Sequence, residues 1–246
     1  DAASRLISLN TTQGIGLAYD GRLITGVTQS GAAPGSVTQT YDNDFRVNER
    51  RVNGVDPIAV QYDGNGLPIH VGAVTLTRNP QTGLVSSITL GALSDSITRD
   101  AFGALATDVA SFNGAQIYST SYSRDLRGRI SSKSETIDGT THDFAYTYDP
   151  DGWLTEVRQD GVLVATYGYD ANGNRLTLAT TGGTKSATYD ARDRLTSYGA
   201  AAYTNAASGE RLSKTIGNQD TTFDYDGRGN LIGATLPDGT QIDYLL

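Results

Sequence analysis

The residues best placed to do chemistry are oxygen-bearing side chains at alternate positions. Asp170, Asn172 and Asn174 put three in one short loop, and Asp149 with Asp151 puts two in another. Calcium loops use oxygens spaced in this way. In both segments, however, Gly stands fourth rather than sixth, and no Glu closes the loop. Turn formation accounts for every residue, so no metal ligand is assigned. Asp42 and Asp44 form another close pair. A glycosidase needs two carboxyls converging across a cleft, and nothing in the sequence singles out two that converge.

His70 and His142 are the only histidines, and neither neighbours a nucleophile motif. A general base acts only within hydrogen-bond reach of its partner. No Ser-His-Asp grouping and no G-x-S-x-G elbow is legible, so both read as surface or strand histidines. Cys is absent, which removes disulfides, zinc fingers and thiol chemistry. The expectation is a chain that is not an enzyme, with no catalytic, cofactor-binding or metal-binding residue.

The elements holding these carboxylates are turns, and the turns recur. Tyr-Asp occurs at Tyr19-Asp20, Tyr41-Asp42, Tyr62-Asp63, Tyr148-Asp149, Tyr169-Asp170, Tyr189-Asp190 and Tyr225-Asp226, which uses half of the 14 tyrosines. Degenerate copies stand at Arg78-Asn79, Arg99-Asp100, Arg124-Asp125 and Tyr203-Thr204. A loose period of about 20 residues is that of stacked β units. After the Asp, the form D-x-x-G repeats at Asp63, Asp100, Asp125, Asp149, Asp170 and Asp226, with Asp193 in the Gly place after Asp190. Asp bonds backbone N–H groups ahead of it, and Gly accepts the positive φ that closes a bulged hairpin.

A second turn type alternates with the first. Asn53-Gly54, Asn113-Gly114, Asp138-Gly139, Asp160-Gly161, Gly182-Gly183 and Asp238-Gly239 are two-residue hairpin signals. Segments between turns alternate in character. Phe144, Tyr146 and Tyr148 share one face, as do Ala165, Tyr167 and Tyr169. The stretch from Thr98 to Phe112 is the best helix candidate, but a repeat copy sits inside it, so strands are expected there. The tyrosines recur at the repeat's own period and read as cross-strand packing rather than sugar-binding platforms.

Composition agrees. Gly is plentiful at 29 and Pro scarce at 6, which suits many tight turns rather than a disordered linker. The net charge of −8 argues against nucleic acid or an anionic membrane as partner. Arg50-Arg51 and the basic stretch from Arg124 to Lys133 balance neighbouring acids. No apolar run is long enough for a membrane-spanning helix. There is no signal-like leader at Asp1 and no Met, so both ends are expected to be cuts within a longer protein. Strands near Asp1 and Leu246 would then be open edges able to recruit further strands, with Ile242, Tyr244 and Leu245 as the apolar part of the last.

Segments 169–176 and 225–231, Tyr-Asp-x-x-Gly running on to Leu, resemble the YD repeat of Rhs proteins, insecticidal toxin-complex subunits, wall-associated proteins and teneurins. The tail Leu236-Pro237-Asp238-Gly239-Thr240-Gln241-Ile242-Asp243-Tyr244 resembles the last repeats before the Rhs core-associated region. The resemblance is dense over 120–246 and dilute over 1–119, and the whole of 1–246 reads as one array. It implies an all-β fold: tandem antiparallel hairpins forming a spiralling sheet, part of a hollow shell. It also implies a role, enclosing a C-terminal toxin or effector, with a cell-surface adhesion or recognition module as the alternative. The implied partners are the remaining shell repeats and the C-terminal cargo of the same protein, together with secretion machinery or a cell-surface ligand. The implied location is secreted or on the bacterial surface. The family's autocleavage motif belongs to the core-associated region, which the sequence does not reach.

Overall fold

The computed structural model describes residues 5–9 and 14–244. The outermost edge positions anticipated at Asp1, Leu245 and Leu246 lie outside the described residues. Among those described, all regular structure is β-strand and no helix occurs, as the turn alternation requires.

The chain forms two compact units. One comprises Asp1–Ser121 and Glu135–Thr140, the other Tyr122–Ser134 and Thr141–Leu246. The first unit begins with β1 (Ser8–Leu9), β2 (Ile15–Asp20), β3 (Leu23–Gln29), β4 (Gly35–Tyr41), β5 (Val47–Val52) and β6 (Val55–Tyr62). It continues through β7 (Pro68–Val71), β8 (Val74–Arg78), β9 (Val85–Leu90), β10 (Leu93–Arg99) and β11 (Leu105–Phe112). The residues of β12 (Ala115–Arg124), β13 (Ile130–Ile137) and β14 (Thr140–Tyr148) are divided between the units. The second unit goes on with β15 (Leu154–Gln159), β16 (Val162–Tyr169), β17 (Arg175–Thr180), β18 (Gly183–Tyr189) and β19 (Leu195–Tyr198). It ends with β20 (Ala201–Asn205), β21 (Arg211–Ile216), β22 (Gln219–Tyr225), β23 (Leu231–Thr235) and β24 (Gln241–Asp243). Within each unit the strands pair antiparallel with their sequence neighbours, as in Thr77↔Ser87 and Thr166↔Ala179.

The D-x-x-G segments fold as expected. The Asp63 N–H donates to the Leu67 carbonyl at 2.9 Å, and the Gly66 N–H returns to the Asp63 carbonyl at 3.0 Å. Asp100, Asp125, Asp149, Asp170 and Asp226 repeat both bonds. The closing glycines sit at positive φ, for example 80° at Gly66 and 85° at Gly173. The ladder register shifts immediately before each turn, at Gln61/Tyr62, Thr147/Tyr148 and Gly168/Tyr169 among others. Asp42 builds the same turn with Phe45 in the Gly place at φ 62°, and Asp190 builds it with Asp193 at 58°.

Three anticipated positions move. The degenerate copy set at Tyr203-Thr204 lies at Asn205-Ala206, where the Ala206 N–H bonds the Glu210 carbonyl and the Gly209 N–H bonds Ala206. The reason is that Asn stands for Tyr while backbone bonds alone can close the turn. Asp238-Gly239 is not a two-residue loop. It is the second half of a four-residue turn closed by Leu236 and Thr240, with Pro237 supplying the fixed φ. The loop placed at Gly182-Gly183 is Thr181-Gly182, because Thr180 pairs with Gly183.

Asn53-Gly54, Asn113-Gly114, Asp138-Gly139 and Asp160-Gly161 have positive φ at both positions, the signature of a type I′ turn. Another set, led by Gly, was not anticipated. Gly21-Arg22, Gly72-Ala73, Gly91-Ala92, Gly199-Ala200 and Gly217-Asn218 place a positive-φ Gly first, the requirement of type II′.

The sheet has a covered face and a wet one. Ala165, Ala187, Ala201 and Ala234 are buried, and they share the face of the aromatics. Small side chains there leave room for tyrosine rings to lie across neighbouring strands. No side chain is fully enclosed among the described residues. Stability therefore rests on neighbour contacts repeated many times.

Candidate functional site

The repeating site is a ladder linking each turn to the next. Four of the Tyr-Asp tyrosines send their hydroxyls back to a main-chain carbonyl just beyond the preceding turn. Tyr62 donates to Val47 at 2.7 Å, Tyr148 to Ile130 at 2.8 Å, Tyr169 to Leu154 at 2.9 Å and Tyr189 to Arg175 at 3.1 Å. In each case the acceptor is the fifth residue after the preceding Asp. Two degenerate copies keep the bond with other donors. Arg78 Nε donates to Pro68 at 3.1 Å, and Asn205 Nδ2 donates to Leu195 at 3.3 Å. The position thus selects a long donor rather than Tyr itself, which explains why the motif decays where Arg or Asn replaces it.

The residue four after each Asp forms the second rung. Arg129 grips Asp125 with Nε and Nη2 at 2.7 Å and stacks its guanidinium over Tyr148 at 4.5 Å. Arg46 does the same with Asp42 and Tyr62. Trp153 replaces this arginine and lies against Tyr169, with ring centroids 5.4 Å apart. These side chains also cover the glycine of the next turn. A Cβ built on Gly173 would meet the Trp153 ring at 3.0 Å, and one on Gly83 would meet Leu67 at 3.1 Å. Gly83 and Gly173 are therefore required twice over, by φ and by the rung above them. Where Asp193 replaces Gly, the rung is Asn174, whose amide donates to the Asp193 carboxylate at 2.7 Å; Asn172 adds a bond at 3.0 Å.

These contacts hold Asp170 and Asp190 charged. Asn174 and the backbone N–H groups ahead of Asp170 lower its pKa. The Arg194 guanidinium, aided by the Arg192 backbone N–H, holds Asp190 at about 2. The oxygens that suggested calcium are used here: Asp170 Oδ1 accepts the Asn172 and Asn174 N–H groups at 3.0 and 2.9 Å. Asp42 and Asp44 converge on Arg46 at 2.8 and 2.9 Å. His70 Nδ1 meets Thr75 at 3.1 Å, and His142 Nδ1 meets Asp160 at 2.7 Å. Arg51 pairs with Glu49, and Arg127 donates to the Pro150 carbonyl. Among the described residues no group of three or more His, Asp or Glu is arranged to hold a metal.

One carboxyl pair was missed by the sequence reading. Asp108 on β11 stands opposite Ile97 on β10, and Asp95 lies two residues from Ile97 on the same face. The carboxyls meet diagonally, with Ile88 across from Asp95 on β9. Burial, then the hydrogen bond to Asp108 and its charge, raise Asp95 to about 6. Nothing in the spacing of 95 and 108 signals the meeting, which depends on the register of one hairpin.

A group with a raised folded pKa contributes stability that is fully present below its unfolded value, here 3.8, and lost as pH rises through about 6. Asp95→Asn keeps a hydrogen bond to Asp108 and removes the repulsion. Its melting temperature should exceed that of the parent above pH 6 and show no step between about pH 4 and 6. Thermal melts of both proteins across that range check this, and a persisting step in the variant assigns the titration elsewhere.

A family model described as Teneurin YD-shell matches residues 3–245. No curated protein matches the chain. Among solved structures, the fold is similar to "TcdB2-TccC3 without hypervariable C-terminal region", with a TM-score of 0.61 and 14% identity over 90% of this chain and 12% of that one. It is likewise similar to "TcdB2-TccC3-TEV", with a TM-score of 0.59 and 14% identity over 90% of this chain and 12% of that one. The chain spans about an eighth of these neighbours, and at this identity the likeness is one of fold.

Proposed function

Because the chain belongs to the teneurin YD-shell family, we propose that it is a structural segment of an Rhs-type shell enclosing a C-terminal toxin or effector of the same protein. The ladder of turns carries this reading. Hairpin is tied to hairpin by Tyr62, Tyr148, Tyr169 and Tyr189, and by Arg78 and Asn205 in place of tyrosine. A sheet with one aromatic, half-covered face is suited to line a wall, and its neighbours in the wall are further repeats. A secreted or cell-surface location and a self-encoded cargo are parts of the same proposal.

Limited proteolysis in the natural full-length context tests it. The C-terminal region should resist protease that digests the same region expressed alone, and Gly173→Asp should remove the protection. Equal digestion in both settings overturns the shell reading. Binding of the purified chain to cell surfaces, with no protection of any C-terminal region, supports adhesion instead.

A further inference from the structure

The four Asn-Gly dipeptides, at Asn53, Asn65, Asn113 and Asn172, divide between the two turn types. In the four-residue turns both peptide groups around the Asn are tied. The Asn65 N–H donates to Asp63 Oδ1 at 2.9 Å and the Gly66 N–H to the Asp63 carbonyl at 3.0 Å. Asn172 and Gly173 repeat this at 3.0 and 3.1 Å, and the Asn172 amide also holds Asp193. In the two-residue turns the strands pair outside the loop, Val52 with Val55 and Phe112 with Ala115. Asn53 and Asn113 sit at φ 51° and 50°, each followed by a Gly at positive φ.

We propose that Asn53 and Asn113 are sites of spontaneous backbone-assisted deamidation, and that Asn65 and Asn172 are protected by their turns. The reaction needs the following Gly nitrogen beside the Asn Cγ, which requires a ψ near about −120°, the value of the first central residue in a type II′ turn. A type I′ loop reaches II′ by flipping one peptide plane while its Asn keeps positive φ. This chain already uses the Gly-first form at Gly21, Gly72 and Gly91. The flip costs no ladder bond, because the loop peptide makes none. In the four-residue turns the same flip would break the bond from the Gly66 N–H to the Asp63 carbonyl, or from the Gly173 N–H to the Asp170 carbonyl.

The chemistry balances with water alone. The Gly nitrogen gives its proton to solvent base and forms a bond to Cγ. The Cγ–Nδ2 bond breaks, and the amide nitrogen leaves as ammonia after taking a proton. Water then opens the cyclic imide at either carbonyl, leaving aspartate or isoaspartate. At Asn53, the Ser36 N–H donates to Oδ1 at 2.8 Å, where charge develops as the bond forms. Isoaspartate inserts a methylene into a loop matched to its ladder and adds a charge.

The test is peptide mapping by mass spectrometry after incubating the folded chain at mildly alkaline pH, with a denatured sample alongside. In the folded chain, deamidation at Asn53 and Asn113 should lead Asn65 and Asn172 by about tenfold or more, and denaturation should bring the four rates together. Asn53→Gly, which keeps a positive-φ residue in the loop, should abolish the first site and leave Asn113 unchanged. Equal rates at all four sites in the folded chain, or faster reaction at Asn65 or Asn172, overturn the proposal.

Discussion

Gly173→Ala should lose about 2–4 kcal/mol of stability, the sum of a left-handed alanine and an overpacked contact. Gly173 holds φ 85°, and its missing Cβ would stand 3.0 Å from the Trp153 ring. Trp153 also packs against Tyr169, with ring centroids 5.4 Å apart, so moving away from an added methyl would disturb that contact. Gly54→Ala is the matched control. Its φ is 74°, but nothing lies within 4 Å of the added methyl, so only the backbone penalty applies. Denaturant midpoints of the two variants separate φ from packing. Equal losses would mean that the tryptophan does not rest on the turn.

Gly173→Asp should be as damaging alone and substantially restored by Trp153→Asn. The pair rebuilds, one repeat earlier, the contact in which Asn174 donates to Asp193 at 2.7 Å. The interaction energy in a double-mutant cycle should be about 1 kcal/mol or more in favour of the pair. Additive losses would show that Asp193 is tolerated for a reason other than the amide above it. The cycle also asks whether the rung and the closing residue of the next turn are chosen together, since Trp meets Gly at one step and Asn meets Asp at the next.

Much of this was legible beforehand, because turn chemistry is local. Asp63 and Gly66 specify their bonds within a few residues, and so do Asn53 and Gly54. The Gly-first loops were passed over because a Gly before Ala or Arg is a weaker signal than Asn-Gly. Asn205 was missed because its role, donating to Leu195, is defined by a strand pairing rather than by its neighbours in sequence. The meeting of Asp95 and Asp108 has the same cause. Register decides it, and a slip of one residue would send the two carboxyls to opposite faces.

From Asp42 to Asp226 the longer turns and the two-residue loops alternate without exception. That alternation constrains how a gene for such a chain can grow. A tandem duplication that starts and ends at successive Tyr-Asp codons adds two strands, and every downstream tyrosine still finds a carbonyl behind it. A duplication of one strand would move all later tyrosines to the opposite margin, where the loops offer them no acceptor. Length is therefore heritable in even steps, and recombination within Tyr-Asp codons is best tolerated where the rung of one copy matches the closing residue of the next, as Trp153 matches Gly173 and Asn174 matches Asp193.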